Sequence, residues 1–158
     1  MEKQLIINVD ERVERAQSLF KAGYNCAQAV VMAFDDVMGL SPEELARLTA
    51  PFGGGMGRLR EVCGSVSGMF MVFGFLKGYS DPSNYDEKKE LYAHIQELGR
   101  RFEEENSSIV CRELLGLNTK HDSATPEKRT ENYYKKRPCA ELVGSATDIL
   151  EQYLNEIA

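Results

Sequence analysis

Apolar residues recur along this chain at helical spacing and almost nowhere at the alternating spacing of a strand. Val13, Ala16, Leu19 and Phe20 form one stripe, with Asp10 before it as a candidate cap and Gly23 after it as a stop. Asn25 offers the next cap, ahead of Ala29, Val30, Ala33, Phe34 and Val37, and Gly39 closes that segment. Ser41-Pro42-Glu43-Glu44 places serine at a cap, proline at the first helical position and glutamate at the third, so a short helix runs from there to about Thr49.

"APFGGGMGR" interrupts regular structure, and the pattern predicts a helix from Arg58 or Leu59 to Gly78. Beyond the turn-like "YSDPSN", Leu91, Ile95, Leu98 and Phe102 mark an amphipathic helix that "EENSS" is expected to interrupt. Ser108 caps a short helix over 109–115 before Gly116, with one long helix over 85–116 as the alternative. The charged segment 118–137 reads as a loop, and Pro138 opens a last helix whose inward set is Leu142, Ile149, Tyr153 and Leu154. These elements predict an all-α, compact bundle of five to seven helices, one domain over residues 1–158, with a glycine-rich loop before a buried central helix.

A length of 158 residues with 42% hydrophobic content suffices for one real core. The net charge of −6 and pI of about 5.1 argue against broad attraction to nucleic acid or anionic lipid. The uncharged run Val62 to Leu76 is too short and too rich in glycine and serine to span a bilayer, which takes about 20 apolar residues. The first residues turn acidic too soon for a secretory signal, so a cytoplasmic protein without membrane partners is expected.

Cys26, Cys63, Cys111 and Cys139 lie 37, 48 and 28 residues apart with no C-x-x-C, which excludes a zinc ribbon, a thioredoxin motif and a c-type haem attachment. Set against the predicted caps, each falls in or near a first helical turn, Cys63 about one turn into its helix. There, unpaired N–H groups and the helix dipole stabilise a thiolate and lower the thiol pKa. A thiolate is both the nucleophile of disulfide exchange and the ligand of metal and iron–sulfur sites. Buried cysteines that merely pack are the plain alternative.

The glycines Gly53, Gly54, Gly55 and Gly57, with Gly64 and Gly68 one turn apart, have two readings. With Arg58 and Arg60 they could form an anion nest, but a phosphate loop needs Gly-Lys-Ser/Thr and a dinucleotide fingerprint needs a preceding strand. Backbone cleared for the close approach of a cofactor, a helix or Cys63 is the better account. His94 and His121 read as solvated or hydrogen-bonded histidines, with haem ligation the minor alternative, and Tyr133 and Tyr134 as residues capping the core, with covering a nearby site the alternative.

"YNCAQAV", "GGGMGRLREVCGSVSG", "CRELLG" and "CAELV" together resemble the family of redox-active proteins named for its C_GCAxxG_C_C motif, in order from about Ala16 to Ile149. The departure is serine where alanine is usual after Cys63-Gly64. The resemblance implies a small helical cytoplasmic protein, mostly of anaerobic bacteria and archaea, with four cysteines as its functional site. Selenoprotein members imply a redox-active motif position, and a related domain in split-Soret-type cytochromes keeps a haem or metal role in view. The expected function is redox chemistry by the four cysteines, as thiol–disulfide exchange with Cys63 attacking and Cys26 its partner, or as metal ligands in electron transfer. An iron–sulfur cluster leads among cofactors, ahead of haem or zinc. Expected partners are a redox protein or small-molecule substrate, and a second copy if the glycine face of the central helix is exposed. A non-enzymatic binding module with structural cysteines is the alternative.

Overall fold

The computed structural model describes residues 9–158, and among these there is no strand. Ten α-helical segments follow one another, with a 3-10 turn (Ala50–Phe52) between the fourth and fifth: α1 (Val9–Lys21), α2 (Cys26–Met32), α3 (Asp35–Met38), α4 (Pro42–Thr49), α5 (Gly53–Met56), α6 (Gly64–Lys77), α7 (Tyr85–Asn106), α8 (Cys111–Leu114), α9 (Glu131–Lys136) and α10 (Cys139–Ile157). The class is all-α as expected. The count exceeds five to seven because α3, α5 and α8 are single turns of four residues.

Capping accounts for most boundaries. Asn25 and Ser41 each form a complete capping box, with Gln28 and Glu44 respectively, and Pro42 opens α4. Asn84 caps α7 by accepting from the Glu87 amide. Asp10, read as a cap, instead stands inside the first turn of α1, where its charge still suits the positive end of the dipole. The helix expected up to Gly39 breaks at Ala33 and Phe34 into α2 and α3, and Gly39 ends α3 in the left-handed conformation. "EENSS" ends α7 as expected, and one long helix over 85–116 does not form: the helix runs to Asn106 and stops at Ser107, whose φ is 79°. The loop expected over 118–137 contains α9, capped by Thr130.

α6 begins at Gly64, not near Arg58. Gly54, Gly55, Met56, Gly57 and Arg58 are five consecutive residues with positive φ, and Arg60 adds a sixth at 59°. The chain makes a left-handed turn here, closed by Gly57 N–H donating to Gly53 O at 2.9 Å, and no right-handed helix nucleates until it ends. Val62 then forms an isolated antiparallel bridge with Val110.

α10 lies along α1 and also packs on α2, α6 and α7, with α2 and α6 in close contact beneath it. Phe34, Met69, Phe73, Leu98, Phe102 and Leu150 are fully buried between them. Arg12 is buried there too. It pairs with Glu151 at 2.7 Å and with Asp36 at 2.6 Å, donates to the Ala33 carbonyl at 2.7 Å, and lies over the Phe34 ring. Ala33 O is an orphan carbonyl left by the end of α2, and Arg12 satisfies it. No helix of the described residues is long and apolar enough to cross a membrane.

Candidate functional site

All four cysteines stand at helix starts. Cys26, Cys111 and Cys139 are the first residues of α2, α8 and α10, and Cys63 is the cap residue of α6 rather than lying one turn into it. Asn25 fixes the entry of α2 through its box and also donates to Ala50 O at 3.1 Å. Ser108 Oγ accepts from the Val110 amide, turning the chain into α8, and Pro138 turns it into α10. The bridge between Val62 and Val110 is flanked by Cys63 N–H to Ile109 O at 2.8 Å and Cys111 N–H to Glu61 O at 2.6 Å, so one rung holds two cysteines. The four thiols are free and line a single cavity of about 290 Å³.

The glycines do clear space, but mostly for protein atoms. A Cβ on Gly64 would lie 2.3 Å from Cys26 Sγ and 2.8 Å from Phe52 O, so the sulfur of Cys26 rests on the bare start of α6, next to Cys63. A Cβ on Gly55 would meet Cys111 Cβ at 2.6 Å and Arg60 Cα at 2.9 Å, and one on Gly68 would meet Ala27 O at 3.0 Å. Gly53, Gly54, Gly57 and Gly64 line the cavity, whereas Gly55 and Gly68 are packing positions outside its wall. The Gly64 and Gly68 face is covered by α2, so it is not the exposed face that a second copy would need.

Helix-start placement predicts lowered thiol pKa values, and burial reverses that at Cys26, Cys63 and Cys139. Burial pushes the Cys26 and Cys63 thiols up, and Cys139 is pushed up to about 12 from 9.0. Amides do favour the anion, from Gly54 and Ala27 at Cys26 and from Ser65 and Val66 at Cys63, but desolvation is the larger effect. Neighbouring sulfurs add to it: Cys63 feels Cys26 and Cys111, and Cys139 feels the same two.

A thiol that keeps its proton in the fold but loses it when unfolded makes folding weaker as pH rises between the two pKa values. Stability to urea is therefore expected to fall between about pH 9 and about pH 12, with less of a fall in Cys139→Ser. Unchanged unfolding midpoints across that range would contradict the burial.

Of the other polar residues that line the cavity, sequence reasoning names Arg58 and Arg60 beside the glycine loop and misses Arg129 and Arg137. Arg60 is buried, donates to Asp122 at 2.8 Å and reaches Cys111 Sγ with Nη1 at 3.6 Å. Arg58 donates to Ser123 O at 2.7 Å. Arg129 comes in from the polar loop, donates to the carbonyls of Phe20 and Tyr24, and lies 4.2 Å from the Phe20 ring centre. Arg137 pairs with Glu127 at 3.3 Å. Arg129 and Arg137 lie in a stretch without apolar periodicity, so no pattern marks them. Tyr133 lines the cavity, and Tyr134 packs edge-on against Phe20 in the core.

No histidine is placed to ligate haem here: His94 is hydrogen-bonded to the Tyr153 hydroxyl, His121 is exposed, and neither lines the cavity. Among the described residues no three Cys, His, Asp or Glu side chains stand together as a single-ion site, so the thiols as placed do not fit one zinc ion. Four thiols around a cavity are the donor set of an iron–sulfur cluster.

Fold and site together define a small helical protein built around a buried four-thiol cavity. Residues 24–153 match the family described as "Putative redox-active protein (C_GCAxxG_C_C)", nearly the whole chain, and the protein belongs to that family. No curated protein and no solved structure matches it.

Proposed function

We propose that the protein is a thiol–disulfide oxidoreductase whose electron-storing pair is Cys26 and Cys63. The observation that carries this reading is the contact at Gly64, where the missing side chain is replaced by the Cys26 sulfur beside the start of α6. The substrate is a disulfide. One protein thiolate bonds to a substrate sulfur as the S–S bond breaks and the first substrate thiol leaves. The second protein thiol, losing its proton, attacks the mixed disulfide, forms the Cys26–Cys63 bond and releases the second substrate thiol. Two protein thiols are oxidised, and one disulfide is reduced to two thiols.

Cys63 is the attacking residue in this reading, its thiolate favoured by the Ser65 and Val66 amides against the burial that pushes its thiol up, and Cys26 resolves. Cys26→Ser is therefore expected to accumulate a mixed disulfide on Cys63 when treated with a small disulfide, seen as an adduct by mass spectrometry of the intact protein and its peptides. Cys63→Ser should carry no adduct at Cys26. Adducts confined to Cys111 or Cys139 would sink the assignment.

The four-thiol donor set gives a second reading, ligation of an iron–sulfur cluster by Cys26, Cys63, Cys111 and Cys139 for electron transfer. Iron and acid-labile sulfide content after anaerobic purification separates the two.

A further inference from the structure

The cavity wall is basic although the protein is acidic. Arg58, Arg60, Arg129 and Arg137 line it with Glu127, and Asp122 stands behind Arg58 and Arg60. Four guanidinium groups thus face two carboxylates in a chain whose net charge is −6. The arginines differ in how their charge is met. Asp122 serves Arg58 and Arg60, and the half-exposed Glu127 serves Arg137. Arg129 is held by two carbonyls and two aromatic faces, and no carboxylate among the described residues pairs with it. Carbonyls and rings orient a guanidinium without neutralising it.

We propose, building on the thiol–disulfide reading, that the substrate is a small disulfide carrying carboxylates, held in this cavity by Arg129 and Arg137. Both arginines line the cavity with Tyr133 and Cys139, and the Arg129 guanidinium lies 5.8 Å from the Tyr133 ring centre, which places their charge at the α9–α10 side of the cavity. A volume of about 290 Å³ is at the lower end of pockets that enclose an organic ligand, so the substrate has the size of an amino-acid disulfide rather than a large peptide one. Planar, fixed guanidinium groups suit bidentate capture of carboxylate.

The test is a charge series on one chemical core. Dithiodiglycolate, hydroxyethyl disulfide and cystamine are anionic, neutral and cationic disulfides, and each rate of protein-thiol loss is divided by its rate with a free small thiol. The expected order is dithiodiglycolate fastest and cystamine slowest, with about tenfold between the anionic and neutral compounds, falling toward unity in Arg129→Gln. Steering by the overall charge of −6 would give the opposite order, so cystamine leading overturns the proposal. An anionic preference unchanged in both Arg129→Gln and Arg137→Gln overturns it too. Arg137→Gln carries the test if loss of Arg129 from the Phe20 and Tyr24 carbonyls unfolds the chain.

Adipate, a dicarboxylate with no sulfur, keeps the two readings apart. It is expected to raise the Tm of the wild type and of Cys63→Ser, but not of Arg129→Gln or Arg137→Gln. Stabilisation by adipate without oxidation by any disulfide would reject disulfide substrates and leave the anion site standing. Oxidation without charge preference or adipate stabilisation would keep the thiol chemistry and reject the anionic substrate.

Discussion

Gly64→Ala is expected to destabilise the protein by about 2 kcal/mol or more and to prevent the Cys26–Cys63 pair from oxidising. The added Cβ would sit 2.3 Å from Cys26 Sγ, 2.8 Å from Phe52 O and 3.2 Å from the Ala27 amide nitrogen. A sulfur on a rotatable bond can swing aside, but the backbone atoms on the other two sides cannot, so α2 and α6 have to separate. Their separation moves Cys26 away from Cys63 and opens a gap beside Gly68, which packs on Ala27 one turn later. Gly74→Ala in the same helix is the matched control: nothing lies within 4 Å of its Cβ, and alanine favours a helix by about 1 kcal/mol over glycine. Urea unfolding of the two variants and peptide mapping after oxidation measure both effects. A Gly64→Ala protein as stable as wild type that still forms the disulfide would mean the close approach has no role.

Arg12→Met is expected to cost about 3–5 kcal/mol, the typical loss when one partner of a buried ion pair is removed. Arg12 and Glu151 are both fully buried, so without the guanidinium the Glu151 carboxylate has neither water nor a counter-charge. Burial already raises the Glu151 pKa against the pull of Arg12, while Arg12 holds Asp36 below its usual range. The signs are opposite. For Glu151 the folded state binds its proton more tightly than the unfolded chain, so its contribution weakens as pH rises through that interval; for Asp36 the contribution is lost as pH falls. With Arg12 gone only the Glu151 effect remains, and the variant should be relatively less damaged at acid pH than at pH 7. Arg12→Met with Glu151→Leu should recover part of the loss, because an apolar pair needs no charge balance. Equal stability of the single and double variants at pH 7 would show that Glu151 is not the cause.

The parts of this fold that are legible in sequence are those fixed by a few neighbouring residues. Asn25 with Gln28, Ser41 with Pro42 and Glu44, and Pro138 mark helix starts by local hydrogen bonding and ring geometry, and so they also locate Cys26 and Cys139. The shift of α6 from Arg58 to Gly64 was not legible because Met56, Arg58 and Arg60 adopt positive φ without being glycine. Nothing in those side chains announces it; contacts with Ser123, Asp122 and Cys111, remote in sequence, hold the two arginines there. The direction of the thiol pKa values was hidden for a related reason. A helix start is local and favours the thiolate, whereas desolvation belongs to the assembled core and outweighs it. Arg129 shows the same limit, since its place in the cavity depends on Phe20 and Tyr24 more than a hundred residues earlier.

The left-handed turn has a consequence for how far this centre can be moved to another setting. For residues other than glycine, left-handed helical geometry costs about 1–2 kcal/mol each. Three such residues, Met56, Arg58 and Arg60, stand in this short stretch, and the two arginines are held there by a loop more than sixty positions further on. Cut out as a peptide, or grafted onto another helical pair, the segment would relax to right-handed or extended backbone, and Gly55 would no longer meet Cys111. The motif is therefore not portable: its letters can be copied, but its shape is supplied by the rest of the chain.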